Sequence, residues 1–449
     1  MQTLSDRQDA DATSIAEREA PWFTENFYTT KHPATRTLRS VYAKIFLAMP
    51  VILIIFMMGV LPIYWGALWK APQHVHGLNA WVVDYDGGEV GQFITQLFHN
   101  ASAASSMTLN FQFVNPNPDG EEGLIRDVVD EKAWIIVSVN ANATNNLNQA
   151  VSSANAAYNA SLAVTVYGEE ARNENAYRSL IRPIVEGILE PALESFAVQF
   201  IRGIEAQGAN VGNLAATAPQ VLTRPVSYTI YNTRPFDVPV ASAVSFVGLI
   251  YLLVLAFFIT MVHWVARVDV THIEDHLSFG SLITIRILNP FAIYFFLSLF
   301  YSLISLEFQT PFSRYFGSSG FVIYWMMSWM SMSALGFSTE SVITILTPRF
   351  IPFFLLIWIV VNVSVCFFPI QALPAIFRYG YAMPFYNVSR TVRTIVFNTK
   401  NQIGLNFGIQ IAWIVVSITG IVVFQWIRRR SAIKARQAAL ERECGEKNA

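Results

Sequence analysis

Long apolar runs alternate with one extended stretch in which short apolar and polar blocks change places. Six segments approach the roughly 20 apolar residues needed to cross a bilayer. They lie at 45–65 ("IFLAMPVILIIFMMGVLPIYW"), 241–262, 283–306, 320–345, 350–370 and 407–427. The last five follow one another through short connections, so they are expected to pack as one bundle. The first stands alone, ahead of a long mixed insert at 70–238. The pattern therefore predicts an α-helical polytopic membrane protein with six transmembrane helices in a one-plus-five arrangement and an α/β domain between helices 1 and 2. It divides into a tail at 1–40, a first helix at 41–69, the insert at 70–238, a five-helix bundle at 239–430 and a second tail at 431–449.

Within the insert, residues 79–84, 107–114, 133–139 and 162–167 read as strands, as in "MTLNFQFV" and "AWIIVSV". Helical patterns lie between them at 89–99, 121–131 and 144–157. This alternation predicts a mixed or parallel sheet. A long amphipathic helix is expected over 174–204, where Leu180, Ile184, Ile188 and Phe196 recur at helical spacing alongside Ile181, Val185, Leu189 and Phe200. Arg178, Arg182, Glu186, Glu190 and Glu194 form its solvated stripe, with Arg182 and Glu186 spaced for an ion pair.

Composition agrees with a membrane protein: 53% of residues are hydrophobic and 14% charged, against about a quarter charged in soluble chains. A net charge of −1 gives no sign of a nucleic-acid partner, and none is expected; the expected surroundings are the lipid bilayer. The apolar core of the first segment is too long for a cleaved signal and follows a polar tail, so it reads as a retained anchor. Lys31, Arg36, Arg39 and Lys44 precede it, and Arg428, Arg429, Arg430, Lys434 and Arg436 follow the last segment. Both termini are therefore expected in the cytoplasm, with the insert and the loop at 371–406 on the other side. Sequons at Asn100, Asn142, Asn159 and Asn387 fall on that outer side and are the candidate glycosylation sites. Asn362, inside an apolar segment, is expected to be unmodified. One feature opposes this orientation: the 371–406 loop carries Arg378, Arg390, Arg393 and Lys400 without an acid.

The stretch "WVVDYDGGEVGQFI" at 81–94 has the form of a strand, a glycine turn and a helix. A dinucleotide loop needs G-x-G-x-x-G, with backbone open to pyrophosphate at a helix N-terminus. Here the spacing differs and Glu89 stands where phosphate would lie, so Asp84 and Asp86 are read as a turn leading into a helix cap. No cofactor is expected. The chain contains no Gly-Lys dipeptide and hence no P-loop. It also has no G-x-S-x-G nucleophile elbow, and no enzyme activity is expected.

His272 and His276, in the loop "RVDVTHIEDHLSFGS", have i, i+4 spacing but lack the H-E-x-x-H order of a zinc enzyme, so they are read as a solvated loop helix. Glu307 and Glu340 are placed at span ends and Arg286 near a span start, which leaves no visible relay of buried carboxylates. The fourth segment is rich in Met, Trp and Ser. Trp325, Met326, Trp329, Met330 and Ser333 are a candidate substrate wall for varied apolar ligands, and equally fit a packing surface with serines bridging helices.

Three stretches carry a family likeness: "LNAWVVDYDGG", "GLIRDVVDEKAWIIVSVNANATNNLNQAV" and "YGYAMPFYNVSRTVRTIVFNTKNQIGLNFGI", the last being the most specific. Over about residues 40–430 the chain resembles the fungal nitrosoguanidine-resistance protein family (DUF3533). It is more distantly similar to the membrane subunits of ABC-2 type exporters. The resemblance implies a plasma-membrane protein, or an endomembrane one, that exports toxic amphipathic compounds or lipids. With no P-loop of its own it would need a separate ATPase docked on the cytoplasmic face, near a short coupling helix within 267–281. By the same analogy it would form a homodimer. The alternative is a non-transporting regulator or scaffold that affects lipid organisation through its outer domain. No catalytic residue is implied.

Overall fold

The computed structural model describes residues 26–29 and 33–447, with side-chain surroundings for 26–29, 35–438 and 441. Lys31, most of the expected tail at 1–40 and the side chain of Cys444 lie outside them. The chain separates into two units, Met1–Ile63 and Tyr64–Ala449. In the first unit, helix α1 (Pro33–Val60) opens on a proline, whose fixed φ suits a first turn. Its apolar side chains, Ile45, Phe46, Leu47 and Ile55 among them, are exposed, as a lipid-facing helix requires.

The second unit begins at Tyr64, within a short helix α2 (Pro62–Leu68), and contains the sheet. Its strands are β1 (Asn79–Asp84), β2 (Asn110–Val114), β3 (Ile135–Val139), β4 (Val164–Gly168) and β5 (Tyr228–Asn232), in the order β2-β1-β3-β4-β5. The pairs β1–β2, β1–β3 and β4–β5 are parallel, and β3–β4 is antiparallel. The central strand β3, "IIVSV", is buried at every position, as expected of a strand covered on both faces. Helices α3 (Glu89–Ala104), α5 (Ala143–Ser153) and α6 (Arg182–Ala206) supply the larger core: Ile94, Phe98, Leu147, Leu189 and Phe196 meet Val82, Val137 and Val166. Helix α4 (Gly120–Val129) closes the other face with Leu124 and Val128 on Val83, Ile136 and Tyr167. Short helices α7 (Val211–Thr217) and α8 (Pro219–Thr223) lead into β5. The four strands read from sequence are present. β5 is an addition; helical conformation begins at Glu174 as expected, widening to a π-helical turn over Tyr177–Ile181 before α6. The Arg182–Glu186 pair forms at 2.9 Å.

Beyond the sheet come α9 (Gly248–Trp264), α10 (Ile273–His276), α11 (Phe279–Glu307), α12 (Ser313–Phe316), α13 (Ser318–Val363), α14 (Pro384–Phe397) and α15 (Ile403–Lys447). Five runs among the described residues are long and apolar enough to cross a membrane: Thr35–Leu68, Ala243–Val270, Phe279–Glu307, Ser318–Val363 and Ile403–Ala438. The fourth expected segment and most of the fifth thus fall within one run of 46 residues, which ends at Val363 and not near 370. That run is not straight. Thr347, just before Pro348, has φ 63° and ψ 160°, outside helical space.

Contacts fix what the break does. A 46-residue straight helix would be about 70 Å long, yet both ends of α13 reach α14, a helix of about 20 Å. A Cβ placed on Gly320 would lie 3.3 Å from Ile395, and the Asn362 side chain accepts the Phe385 N–H at 3.2 Å. The chain therefore doubles back at Thr347 into two arms. Ile343 and Ile351, on either side of the turn, share a cluster with Trp264.

The 371–406 segment is folded onto the unit rather than looped free. Most of α14 is buried, and its cations meet acids of the sheet domain. Arg390 pairs with Glu131 at 2.6 Å and Arg393 with Glu174 at 2.6 Å, while the Lys400 ammonium donates to the Asp130 carbonyl. Three of the four basic residues are thus held by residues of the insert, which gives their surplus positive charge a tertiary partner.

Candidate functional site

The helix bundle contains a charge network that leaves no local trace in the sequence. Glu340, in the first arm of α13, is 1% exposed, and Arg286 of α11 is fully buried. The Arg286 Nε donates to the Glu340 carboxylate at 2.6 Å, its Nη1 to Gln425 of α15 at 2.7 Å, and its Nη2 to the Glu340 carbonyl at 2.9 Å and Thr344 at 2.6 Å. Arg267, at the end of the α9 run, reaches Glu340 at 3.1 Å and Glu274 at 3.3 Å. Glu274 lies on α10, the short helix between α9 and α11, and accepts from Gln425 at 2.9 Å, with Arg428 3.6 Å away. One Glu274 oxygen, one Glu340 oxygen and Arg267 Nη1 have no hydrogen-bond partner.

Glu340 and Arg286 keep the positions read from sequence, near the Thr347 break and near the start of α11; what the structure adds is that both are buried and paired. An isolated charge at such depth is expensive, and a paired one less so. The network joins four apolar runs to a polar loop. Arg267 precedes that loop and Glu274 lies on its short helix, Glu340 and Arg286 hold the adjoining helices, and Gln425 ties in the last. The loop helix expected within 267–281 is α10. His272 precedes it in left-handed backbone, φ 48°, and so does not share a helix face with His276.

The candidate substrate wall lies against α11. Trp325 and Trp329 donate their indole N–H groups to the carbonyls of Phe295 and Phe291, at 3.2 and 3.0 Å. Their rings pack on the rings of the same two phenylalanines. Ser333 is buried and donates to the Trp329 carbonyl, while Met326 and Met330 are half-buried. In this conformation the two tryptophans join two helices.

Of the sequon asparagines, Asn100, Asn142 and Asn159 are exposed on the sheet domain. Asn387 is 2% exposed, and its amide donates to the carbonyls of Tyr381 and Met383. The folded chain therefore offers no free Asn387 amide to a glycan.

The turn after β1 has a definite role. Asp84 accepts the N–H groups of Asp86 and Gly87. Asp86 accepts those of Gly88 and Gly91 at the start of α3, and the N–H and hydroxyl of Thr144 at the start of α5. In an open α/β sheet the crevice beyond β1 and β3, where strand order reverses, is the usual ligand position. Here the chain's own carboxylate sits at both helix N-termini, where an anion is favoured. Burial alone would raise the Asp86 carboxyl, but these four hydrogen bonds bring it below its ordinary value.

Comparison with known proteins adds family membership. An uncharacterized endoplasmic reticulum membrane protein of Saccharomyces cerevisiae is 26% identical across 98% of this chain and 89% of its own length. No solved structure matches. The family model for DUF3533, described as a protein of unknown function, matches residues 49–419, from within α1 to within α15. The chain is a membrane protein of the DUF3533 family.

Proposed function

We propose that the chain is an export permease for amphipathic compounds or lipids, driven by a separate ATPase that docks on α10. The observation carrying this reading is the attachment of that four-residue loop helix to the bundle interior. Glu274 is tied at once to Arg267 and Gln425, and these reach Glu340 and Arg286. A push on α10 is thereby delivered to α9, α11, α13 and α15 through charged groups, which hold geometry better than apolar contacts. Transport driven from outside the chain needs such a link, because without a P-loop the chain does not hydrolyse ATP by the usual route.

In this reading the two arms of α13 are separate crossings, giving six, with both termini and α10 in the cytoplasm. The second arm, 348–363, is about 24 Å long against a hydrocarbon core of about 30 Å, and the turn at 364–367 completes its path. The sheet domain and 371–406 segment face the lumen or exterior. The yeast relative's compartment makes the endoplasmic reticulum as natural a location as the plasma membrane. Two copies would assemble the full pathway, with Trp325, Met326, Trp329, Met330 and Ser333 moving from helix packing to substrate contact as the bundle opens.

Orientation is tested in sealed microsomes, whose cytoplasmic face points outward. In a Cys444→Ser background, Ser431→Cys should react with an impermeant thiol reagent at once. Ser106→Cys, on the sheet domain, should react only after the vesicles are opened. The reverse pattern would overturn the orientation. Endoglycosidase sensitivity should be abolished by removing Asn100, Asn142 and Asn159 together and should be indifferent to Asn387→Gln.

Function is tested by Glu274→Gln, which keeps the Gln425 hydrogen bond but removes the charge facing Arg267. Coupling energies between sites are typically 1–3 kcal/mol, so export of a panel of labelled amphipathic compounds should fall about tenfold at unchanged abundance. Loss of the protein should raise accumulation, and an ATPase should copurify with the wild type. Equal accumulation with and without the protein across the panel would overturn the permease and leave the regulator of lipid organisation.

A further inference from the structure

The packing of α14 on the sheet domain encloses a second charged site, far from α10 in sequence and outside the long apolar runs. A cavity lies between Arg172, Asn173 and Trp134 of the insert and Gln371, Tyr386, Ser389, Arg390 and Arg393 of the 371–406 segment, floored by Val365, Phe368 and Pro369. It has room of about 30 Å³ for the centres of water-sized atoms. That exceeds the space one water needs, about 10–15 Å³.

Its lining carries more positive than negative charge. Glu131 serves two guanidiniums, Arg390 at 2.6 Å and Arg172 at 3.9 Å, while Glu174 serves Arg393. Three arginines thus share two carboxylates. The Nε of Arg172 and the Nε of Arg390 make no hydrogen bond, although both groups are largely buried. The Arg172 guanidinium is stacked 3.4 Å from the centre of the Trp134 ring and donates Nη1 to the Ala133 carbonyl, so its position is fixed before any ligand arrives. Buried N–H donors are normally satisfied, and a planar guanidinium fork matches an oxyanion.

The geometry points to a phosphoryl-group site in this cavity, held by Arg172 and Arg390 with Arg393 and Ser389 at its edge. The phosphoryl group would come from a lipid headgroup or from free phosphate.

A nearby carboxyl makes the site pH-dependent. Glu169 is 1% exposed, both its oxygens lack hydrogen-bond partners, and the charged groups around it are Arg172, Glu131, Arg234 and Arg390. Burial, opposed by Arg172, pushes its carboxyl up to about 8. At neutral pH it is protonated and leaves Arg172 free for an anion. Above that value it ionises and competes with the ligand.

The test uses the purified full chain. Inorganic phosphate is titrated calorimetrically into detergent-solubilised protein stripped of lipid. In parallel, protein reconstituted with phosphatidic acid is delipidated and the retained lipid is weighed by mass spectrometry. Saturable phosphate binding supports the site, and retention of one phosphatidic acid per chain identifies the headgroup as its source. Arg390→Ala should weaken whichever binding occurs by about tenfold or more, the loss of a charged hydrogen bond. Arg378→Ala should leave it unchanged. A second variant guards against misfolding: Glu169→Gln should bind as wild type does near neutrality and retain binding at about pH 9.5, where wild type loses it. Absence of both bindings in wild type, unchanged binding in Arg390→Ala, or equal loss at high pH in wild type and Glu169→Gln would overturn the assignment.

Discussion

Arg286→Ala should cost about 3–5 kcal/mol of stability, because it leaves Glu340 buried with only part of its neutralising charge. Four hydrogen bonds disappear with the guanidinium, to the Glu340 side chain and carbonyl, Thr344 and Gln425. Arg267 remains at 3.1 Å, so Glu340 is not wholly abandoned, and this places the loss toward the lower end of the range. The measurement is the melting temperature of the detergent-solubilised protein, with abundance in membranes as a second readout. Paired replacement discriminates between a scaffold and a coupling device. Arg286→Met with Glu340→Met removes both charges and fills their volume, so it should restore much of the stability lost in either single variant. In the proposed permease, export should be defective in the double variant, since the link from Glu274 now ends in apolar side chains. Single variants that melt with wild type would show that the network carries no stabilising charge interaction.

The sheet domain was largely legible because its strands are short, apolar and separated by helical patterns of the right length. "WIIV" within 133–139 is apolar on both strand faces, and the structure buries it on both. β5 escaped because "YTIYN" is a short edge strand, exposed at alternate positions, whose core face is only Tyr228 and Ile230, both half-buried. The doubling back at Thr347 was legible as two apolar segments around a proline, although the fold keeps them in one run. What sequence could not supply was pairing. Glu340 meets partners 54 and 73 positions away in the chain, and spacing along one helix contains no sign of either.

The arginines of 371–406 show how a conflict could have been used. Three guanidiniums and an ammonium in an apolar segment without an acid need carboxylates from elsewhere. The insert supplies a dense acidic group amid buried residues at 169–174, "EEARNE". Glu174 does answer Arg393, and Glu131 answers Arg390. The surplus charge of one region is thus a demand for a partner that the other region meets. The fourth-segment Trp and Met residues show the opposite limit. Their composition fits a ligand wall and a helix seam equally, and only the indole N–H contacts to Phe291 and Phe295 assign them to a seam in this conformation.

Asp86→Ala should destabilise the sheet domain by about 2–3 kcal/mol, the scale set by hydrogen bonds to a charged acceptor and by loss of helix caps. The carboxylate holds two N–H groups of the α3 start and two donors of Thr144 at the α5 start, so its removal loosens both helices where they leave the ends of β1 and β3. Asp86→Asn tests the charge alone. The amide keeps one acceptor oxygen and places an NH₂ where the second should be, so its loss should be smaller than that of Ala. The pH dependence has a fixed sign. Because the folded carboxyl lies below its ordinary value, its contribution is complete above the unfolded carboxylate range and is lost as pH falls through the folded value. Asp86→Asn should flatten that acid limb of the stability profile. The alternative view, that the crevice is a nucleotide site with Asp86 as a ligand contact, makes a different forecast: the variants would leave stability unchanged and alter the binding of ATP or NAD measured by calorimetry. Thermal melts of the full-length protein across the acid range, beside those titrations, separate the two.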